Sequence, residues 1–441
     1  MARGKRNFDI IIEGGTLLTM VDGEDPLPGA RVLISGDRIE EVSTRQNSPL
    51  PETNALISGE DTIILPGLIN AHGHSPMTIF RGLADDLPLK TWLFDNIFPA
   101  EAKHLDPDTV YWGSLLGCLE MIASGTTTAV DSYFFADQIV RAADMAGIRA
   151  LVAQGVIDFP APGVPDPKKN LDVGMAFLER WIDFSDRITP GLFCHSPITC
   201  SASTLRQAHE ISTRFNLPLQ IHLSETQEEP EEIVGKTQLR PAFFLDELGL
   251  LNSNLIAAHA VHVNDEEIDL LASREVKIAH CPESNMKLGS GIAAVPQMLE
   301  KGMTVGLGTD SCASNNNLDL FGEMDTAAKL AKVAFLDPTL LDAKSLVRMA
   351  TIGGAQLIGL ENKIGTIEKG KKADIIIIST KTPHMTPIYN PYSQIVYSAT
   401  GADVRDVIIN GRIVYRDRQF TTLDKAEILN EVEKIGQRIG T

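Results

Sequence analysis

The sequence predicts an α/β fold: a (β/α)8 TIM-type barrel carrying a small composite β-sandwich domain formed by both termini. Three observations predict it. Between residues 66 and 370, eight short apolar runs alternate with stretches whose apolar residues recur at i, i+3 and i+4. Residues 1–65 and 371–441 are instead rich in short β signals punctuated by Gly, Asp and Asn turns. Finally, the polar residues that directly follow the eight runs are mostly His and Asp, placed where parallel barrels carry their functional groups. The predicted units are therefore 1–65 (N-terminal part of the sandwich), 66–370 (barrel) and 371–441 (C-terminal part plus a last helix).

At the N-terminal end, Asp9-Ile10-Ile11-Ile12-Glu13 and Ala30-Arg31-Val32-Leu33-Ile34 read as strands. Their counterparts are Ala373-Asp374-Ile375-Ile376-Ile377-Ile378 and residues 406–414, where Asn410-Gly411 makes a tight turn. Neither end supplies enough strands for a stable sheet alone, so the two combine. The barrel strands are read, in order, at residues 67–70, 127–130, 149–152, 191–194, 219–221, 255–258, 276–279 and 305–308. Parallel strands buried on both faces give such unbroken apolar runs. Helical spacing marks residues 115–124 and 292–301, and an amphipathic helix over 423–439 is expected to pack on the fold.

Composition excludes several classes. With 441 residues, 43% apolar and 22% charged, the chain is globular rather than disordered or collagen-like. A net charge of −19 without any Lys or Arg block argues against nucleic acid and against an anionic membrane surface as partners. The five cysteines include no C-x-x-C and form no disulfide framework, which fits a reducing, cytoplasmic setting. The basic start Met1-Ala2-Arg3-Gly4-Lys5-Arg6 precedes no adequate signal-peptide core, and no run approaches the roughly 20 apolar residues of a membrane span.

The residues at the ends of the runs are His72, His74, Asp131, Gln154, His195, His222, His259, His280 and Asp310, which takes in six of the ten histidines. In His72-Gly73-His74 the two imidazoles stand two residues apart, so on a strand they point to one face. His222 and Asp310 each close a run of their own. Three imidazoles and one carboxylate suit one divalent metal, Zn²⁺ first and Fe²⁺ second, with a position left for water.

These residues resemble a known family. Pro66-Gly67-Leu68-Ile69-Asn70-Ala71-His72-Gly73-His74, His222, His259 and Gly308-Thr309-Asp310 are similar to the amidohydrolase superfamily over nearly the whole chain. Thr91-Trp92-Leu93, Glu101, Gly125-Thr126-Thr127-Thr128, His222-Leu223-Ser224-Glu225-Thr226 and Ser314-Asn315-Asn316-Asn317-Leu318-Asp319 resemble its 5′-methylthioadenosine/S-adenosylhomocysteine deaminases. The resemblance implies metal ligands at His72, His74, His222 and Asp310, and catalytic residues at Glu225, His259 and Asp310. Binuclear relatives bridge their metals with a lysine at the end of the fourth strand. Phe193-Cys194-His195-Ser196-Pro197 has none, so one metal is expected.

The implied reaction converts 5′-methylthioadenosine, and S-adenosylhomocysteine beside it, to the inosine analogue and ammonia. A divalent metal lowers the pKa of a bound water to about 7, and the resulting hydroxide attacks C6 of the purine. Asp310 takes the water's proton and passes it to the amine, while His259 orients the water. Glu225, kept protonated in a water-poor pocket, donates to a ring nitrogen. Substrate contacts are implied for Glu101 (the ribose diol), His195, Glu225 and Trp92. A homo-oligomer is implied as well.

One departure concerns specificity. Relatives that accept S-adenosylhomocysteine place arginines after the third strand, where this chain offers Gln154. Lys168 or Lys169 would supply only a point charge, and Arg149 begins the strand, away from the mouth. Methylthioadenosine is therefore the favoured substrate. Two alternatives stay open: a deaminase or chlorohydrolase of another N-heterocycle (guanine, other adenosine nucleosides, a triazine), and a metal-free scaffold. Gly365-Thr366-Ile367-Glu368-Lys369-Gly370-Lys371 imitates a phosphate loop, but Lys372 stands where Ser or Thr would bind Mg²⁺. His262 and His280 receive no catalytic role.

Overall fold

A computed structural model describes residues 7–44 and 50–440. The basic start, residues 1–6, lies outside them. Eight parallel strands follow one another around a barrel: β1 (Leu68–Gly73), β2 (Thr126–Tyr133), β3 (Arg149–Val156), β4 (Ile188–Cys194), β5 (Leu219–Leu223), β6 (Leu255–His259), β7 (Lys277–His280) and β8 (Val305–Leu307). Each pairs in parallel with the next. The ring closes where Asp310, just past β8, bridges Gly73 of β1, and the Asp310 N–H donates to the His72 carbonyl at 3.0 Å.

All eight apolar runs are strands, but several extend further toward the C-terminal end than the run itself. β1 continues through His72, β2 through Asp131 to Tyr133, and β3 through Gln154 to Val156. The ladder carries polar residues there because each finds a partner. The helix expected at 115–124 begins earlier, at Pro107, because Asp106 caps it: its side chain accepts the Thr109 N–H, and Thr109 answers on the Asp106 N–H. The one expected at 292–301 covers only Val295–Glu300.

The two ends form two facing sheets. One is ordered 38–44, 30–35, 7–13, 52–58; the other is ordered 419–420, 412–416, 404–409, 375–379, 62–66, 16–17, 27–28. Strand Thr62–Pro66 pairs antiparallel with Ile375–Ser379, so the second sheet contains strands from both ends of the chain. Its side chains alternate between two cores. Ile64, Ile375, Ile377 and Ile408 meet Ile10, Ile12, Val32 and Ile34 of the other sheet, whereas Ile63, Leu65, Ile376 and Ile378 pack against the barrel. That double burial explains the unbroken Ile375-Ile376-Ile377-Ile378 run. Arg149, at the start of β3, adds a buried ion pair with Asp374 (Nε–Oδ2 2.9 Å). The last helix, Lys425–Ile439, packs Ile428 against Leu115 and Leu119 of helix Pro107–Ala123.

Candidate metal centre and active site

The C-terminal ends of the strands gather the predicted residues into one buried cluster. His72 and His74 leave the same face of β1, with ring centroids 4.8 Å apart. His222 of β5 brings its Nε2 to 3.2 Å from His72 Nε2. Asp310 Oδ1 lies 3.2 Å from His74 Nε2 and 3.5 Å from His72 Nε2. His259, the last residue of β6, joins the group: donor atoms of His72, His222, His259 and Asp310 all lie within 4.8 Å of one another. Imidazole nitrogens and one carboxylate oxygen thus converge on one small volume. The donor set fits a divalent metal.

Hydrogen bonds from outside the cluster aim these groups. His74 Nδ1 meets the Ser132 carbonyl, which leaves its Nε2 lone pair facing inward. His259 Nδ1 is 2.9 Å from Asn285 Oδ1, which turns Nε2 toward the cluster in the same way. The hydroxyls of Ser284 and Ser314 each donate to Asp310 Oδ2 at 2.6 Å, so Oδ1 is the oxygen left for the centre. Backbone strain accompanies this placement. Ser224 (φ +49°), His259 (φ +70°), Ala260 (φ +47°) and Asp310 (φ +58°) adopt left-handed conformations, each at a cost of about 1 kcal/mol or more for an L-residue.

Burial governs the electrostatics. It pushes His72 down to about 4 and His222 well below the usual imidazole range, so both are neutral at pH 7. Burial opposes the charged form of Asp310, but contacts with His72 and His74 outweigh it and hold the carboxyl well below its ordinary value. For His74, burial is likewise outweighed by Asp310, and its pKa is raised. Glu225, with Oε2 3.8 Å from His259 Nε2, is raised by burial. Glu101 is raised by burial to about 7, although the Tyr133 hydroxyl donates to its Oε1.

A pocket opens above the cluster, with about 700 Å³ of empty space when the part open to solvent is included. Its polar lining consists of His74, Glu101, Tyr133, His195, His222, Glu225, His259, Asp310 and Ser311; its apolar wall includes Leu89, Trp92, Leu93, Phe98, Phe134 and Leu288. His195 is set by Thr199 (Nδ1–Oγ1 3.0 Å) and packs edge-on against Phe98. Trp92 reaches the pocket from a π-helical turn, Thr91–Ile97, that runs into the helix bearing Glu101.

Gln154 requires a correction. It does not look into the pocket, whose wall there is Gly155 and Val156. The strand runs on past it, and its buried amide accepts the Ala136 N–H and donates to the Gly155 carbonyl. Lys168 and Lys169 are exposed on the short helix Pro167–Lys169, and neither lines the pocket. His262 bonds the Ser290 carbonyl outside the pocket, and His280 is buried at the end of β7 without lining it. The phosphate-loop imitation is a turn in which Lys371 pairs with Glu368. Sequence reasoning missed Ser132, Tyr133, Ser284 and Asn285, which hold the site's side chains. The resemblance takes in Ser314 but implies no role for it.

Residues 63–414 match the amidohydrolase family. The chain is 45% identical over 434 residues to the 5-methylthioadenosine/S-adenosylhomocysteine deaminase 1 of Syntrophus aciditrophicus, covering 98% of each. It is 44% identical over 407 residues to the 5′-deoxyadenosine deaminase of Methanothermobacter thermautotrophicus, covering 91% of this chain and 93% of that one. Among solved structures, a zinc-bound adenosine deaminase from Xanthomonas campestris superposes with a TM-score of 0.96 at 35% identity, over 98% of this chain and 99% of that one.

Proposed function

The chain belongs to the amidohydrolase family, and from that premise we propose a metal-dependent hydrolytic deaminase of 5′-methylthioadenosine, with S-adenosylhomocysteine a poorer substrate. The observation that carries this reading is one pocket lined by four imidazoles (His74, His195, His222 and His259), an ionised Asp310 and two carboxyls raised by burial, Glu225 and Glu101. His72, His74, His222 and Asp310 are the proposed ligands of a single metal, zinc in preference to iron(II). When bound, that ion would supply an activated water to the purine C6.

The protein's own groups do the rest. Asp310 receives the proton at its carboxylate and returns it to the departing amine, with Oδ2 held fixed by the two serine hydroxyls. Glu225, whose carboxyl burial raises above its ordinary value, donates a proton to a ring nitrogen as C6 becomes tetrahedral. His259, fixed by Asn285, orients the attacking water. Glu101 accepts the ribose diol, and His195 and Trp92 contact the nucleoside. As ammonia leaves, the proton of the C6 hydroxyl returns to Glu225, and an inosine analogue remains.

The pocket wall favours a neutral 5′ substituent. Among the described residues lining it there is no Lys or Arg. A methylthio group loses little on entering such a wall, whereas the charged tail of S-adenosylhomocysteine is desolvated without a fixed partner. Five unpaired, buried cysteines support a cytoplasmic setting.

The test is the product formed from methylthioadenosine by zinc-loaded protein, beside its Glu101→Gln variant. The reading expects ammonia and the inosine analogue. It also expects Glu101→Gln to raise KM about tenfold or more for nucleosides with a 2′,3′-diol, and not for substrates without one. An equal effect on guanine or a triazine would move the assignment to another N-heterocycle.

A further inference from the structure

One buried carboxyl beside the site takes no part in the steps above. Glu229 lies in the first turn of the helix Glu228–Thr237, where Glu228 and Glu231 stand in solvent. Its own side chain turns back toward the barrel and leaves the residue only 6% exposed. Oε2 accepts the backbone N–H of Glu225 at 2.9 Å. Oε1 is enclosed with no hydrogen-bond partner among the described residues.

Burial of a carboxyl group is costly, and favourable placement at a helix N-terminus does not require it, as Glu228 and Glu231 demonstrate. The segment it grips is the strained one. Ser224, with φ +49°, joins β5 to Glu225 and has its carbonyl bonded by the His262 N–H at 2.9 Å. The turn is thus held from two sides, by His262 at Ser224 and by Glu229 at Glu225.

We infer that Glu229 is a positioning residue: by gripping the Glu225 N–H it sets the direction in which the Glu225 carboxyl leaves the backbone toward the purine ring. This rests on the reading of Glu225 as the proton donor. Misplacement of a reacting group by about 1 Å costs on the order of 100-fold in rate, so a loosened turn should be felt in kcat.

The experiment compares Glu229→Gln, Glu229→Ala and Glu229→Asp in zinc-loaded protein with methylthioadenosine, measuring kcat, KM, zinc content and thermal midpoint. Glutamine keeps an acceptor oxygen at the same reach, so its kcat should stay within about threefold of the parent. Alanine has no acceptor and aspartate is too short, so both should lose about 10- to 100-fold in kcat with KM nearly unchanged and zinc retained. If alanine does not fold at the assay temperature, aspartate decides. Parent-like kcat in the decisive variant, equal losses for glutamine and alanine, or a loss that tracks zinc would overturn the inference. Glu225→Ala separates the two levels. Should it keep the parent kcat, the proton-donor reading itself fails; an inactive Glu225→Ala beside an unimpaired Glu229→Asp removes only the positioning role.

Discussion

A carboxyl group enclosed like that of Glu101 must be protonated or pay for its charge, and this fixes how one residue affects stability. Burial raises it from 4.5 to about 7. Below the lower value it is protonated folded or unfolded, and it contributes no pH dependence. Between the two only the folded state keeps the proton, so stability falls as pH rises through that window, by about 3 kcal/mol in all. Metal-free Glu101→Gln should therefore match the parent near about pH 4 and exceed it by up to about 3 kcal/mol near about pH 8 in urea unfolding. An unchanged difference across that range would contradict it. The gain in stability comes with the loss of diol binding already predicted, the trade expected of a site residue. His72, His74, His222 and Asp310 were legible because barrel chemistry sits at strand ends and the sequence puts those residue types directly after apolar runs. Asn285, Ser284 and Glu229 were not, because each acts from a helix through one hydrogen bond, to the His259 ring, the Asp310 carboxylate and the Glu225 N–H respectively, and a lone polar residue carries no periodic signal.

At the scale of the element, the strand Ile375–Ser379 shows how a run and its fold agree. Four successive isoleucines read as a strand, and in the fold they face two cores alternately. Strand lengths were less legible, because polar residues such as Asp131 and Gln154 continue the ladder once the structure supplies them with partners. Gln154 therefore belongs to the barrel wall rather than the mouth. The elements are also joined by charge. Arg149 of β3 donates to Asp374 and to Asn410, and both ionic partners are almost fully buried. Replacing Arg149 by methionine leaves a buried carboxylate unpaired and should cost about 3–5 kcal/mol, read from the urea midpoint. Because Arg149 begins β3 and the pocket lies at the strands' other ends, kcat/KM of the folded variant should stay close to that of the parent. A loss under about 1 kcal/mol would mean that the pair does not join the barrel to the sandwich.

For the molecule as a whole, barrel closure and metal site are one structure, since Asp310 both bridges β8 to β1 and faces His72 and His74. Metal removal should thus cost stability as well as activity. Where free zinc exceeds its Kd a thousandfold, binding adds about 4 kcal/mol to the folded state, so chelation should lower the thermal midpoint and readdition should restore it together with activity. A chelated protein that melts at the same temperature would place the metal outside the fold's closure. The central claim, a deaminase of nucleosides with a neutral 5′ substituent, is tested most directly by ammonia release from zinc-loaded protein given methylthioadenosine and S-adenosylhomocysteine at equal concentrations. Ammonia is expected from both, with kcat/KM for methylthioadenosine about tenfold or more higher because the pocket wall holds no cation for the amino-acid tail. Comparable values would show that the tail is recognised after all, and silence on both with metal bound would contradict the nucleoside assignment itself.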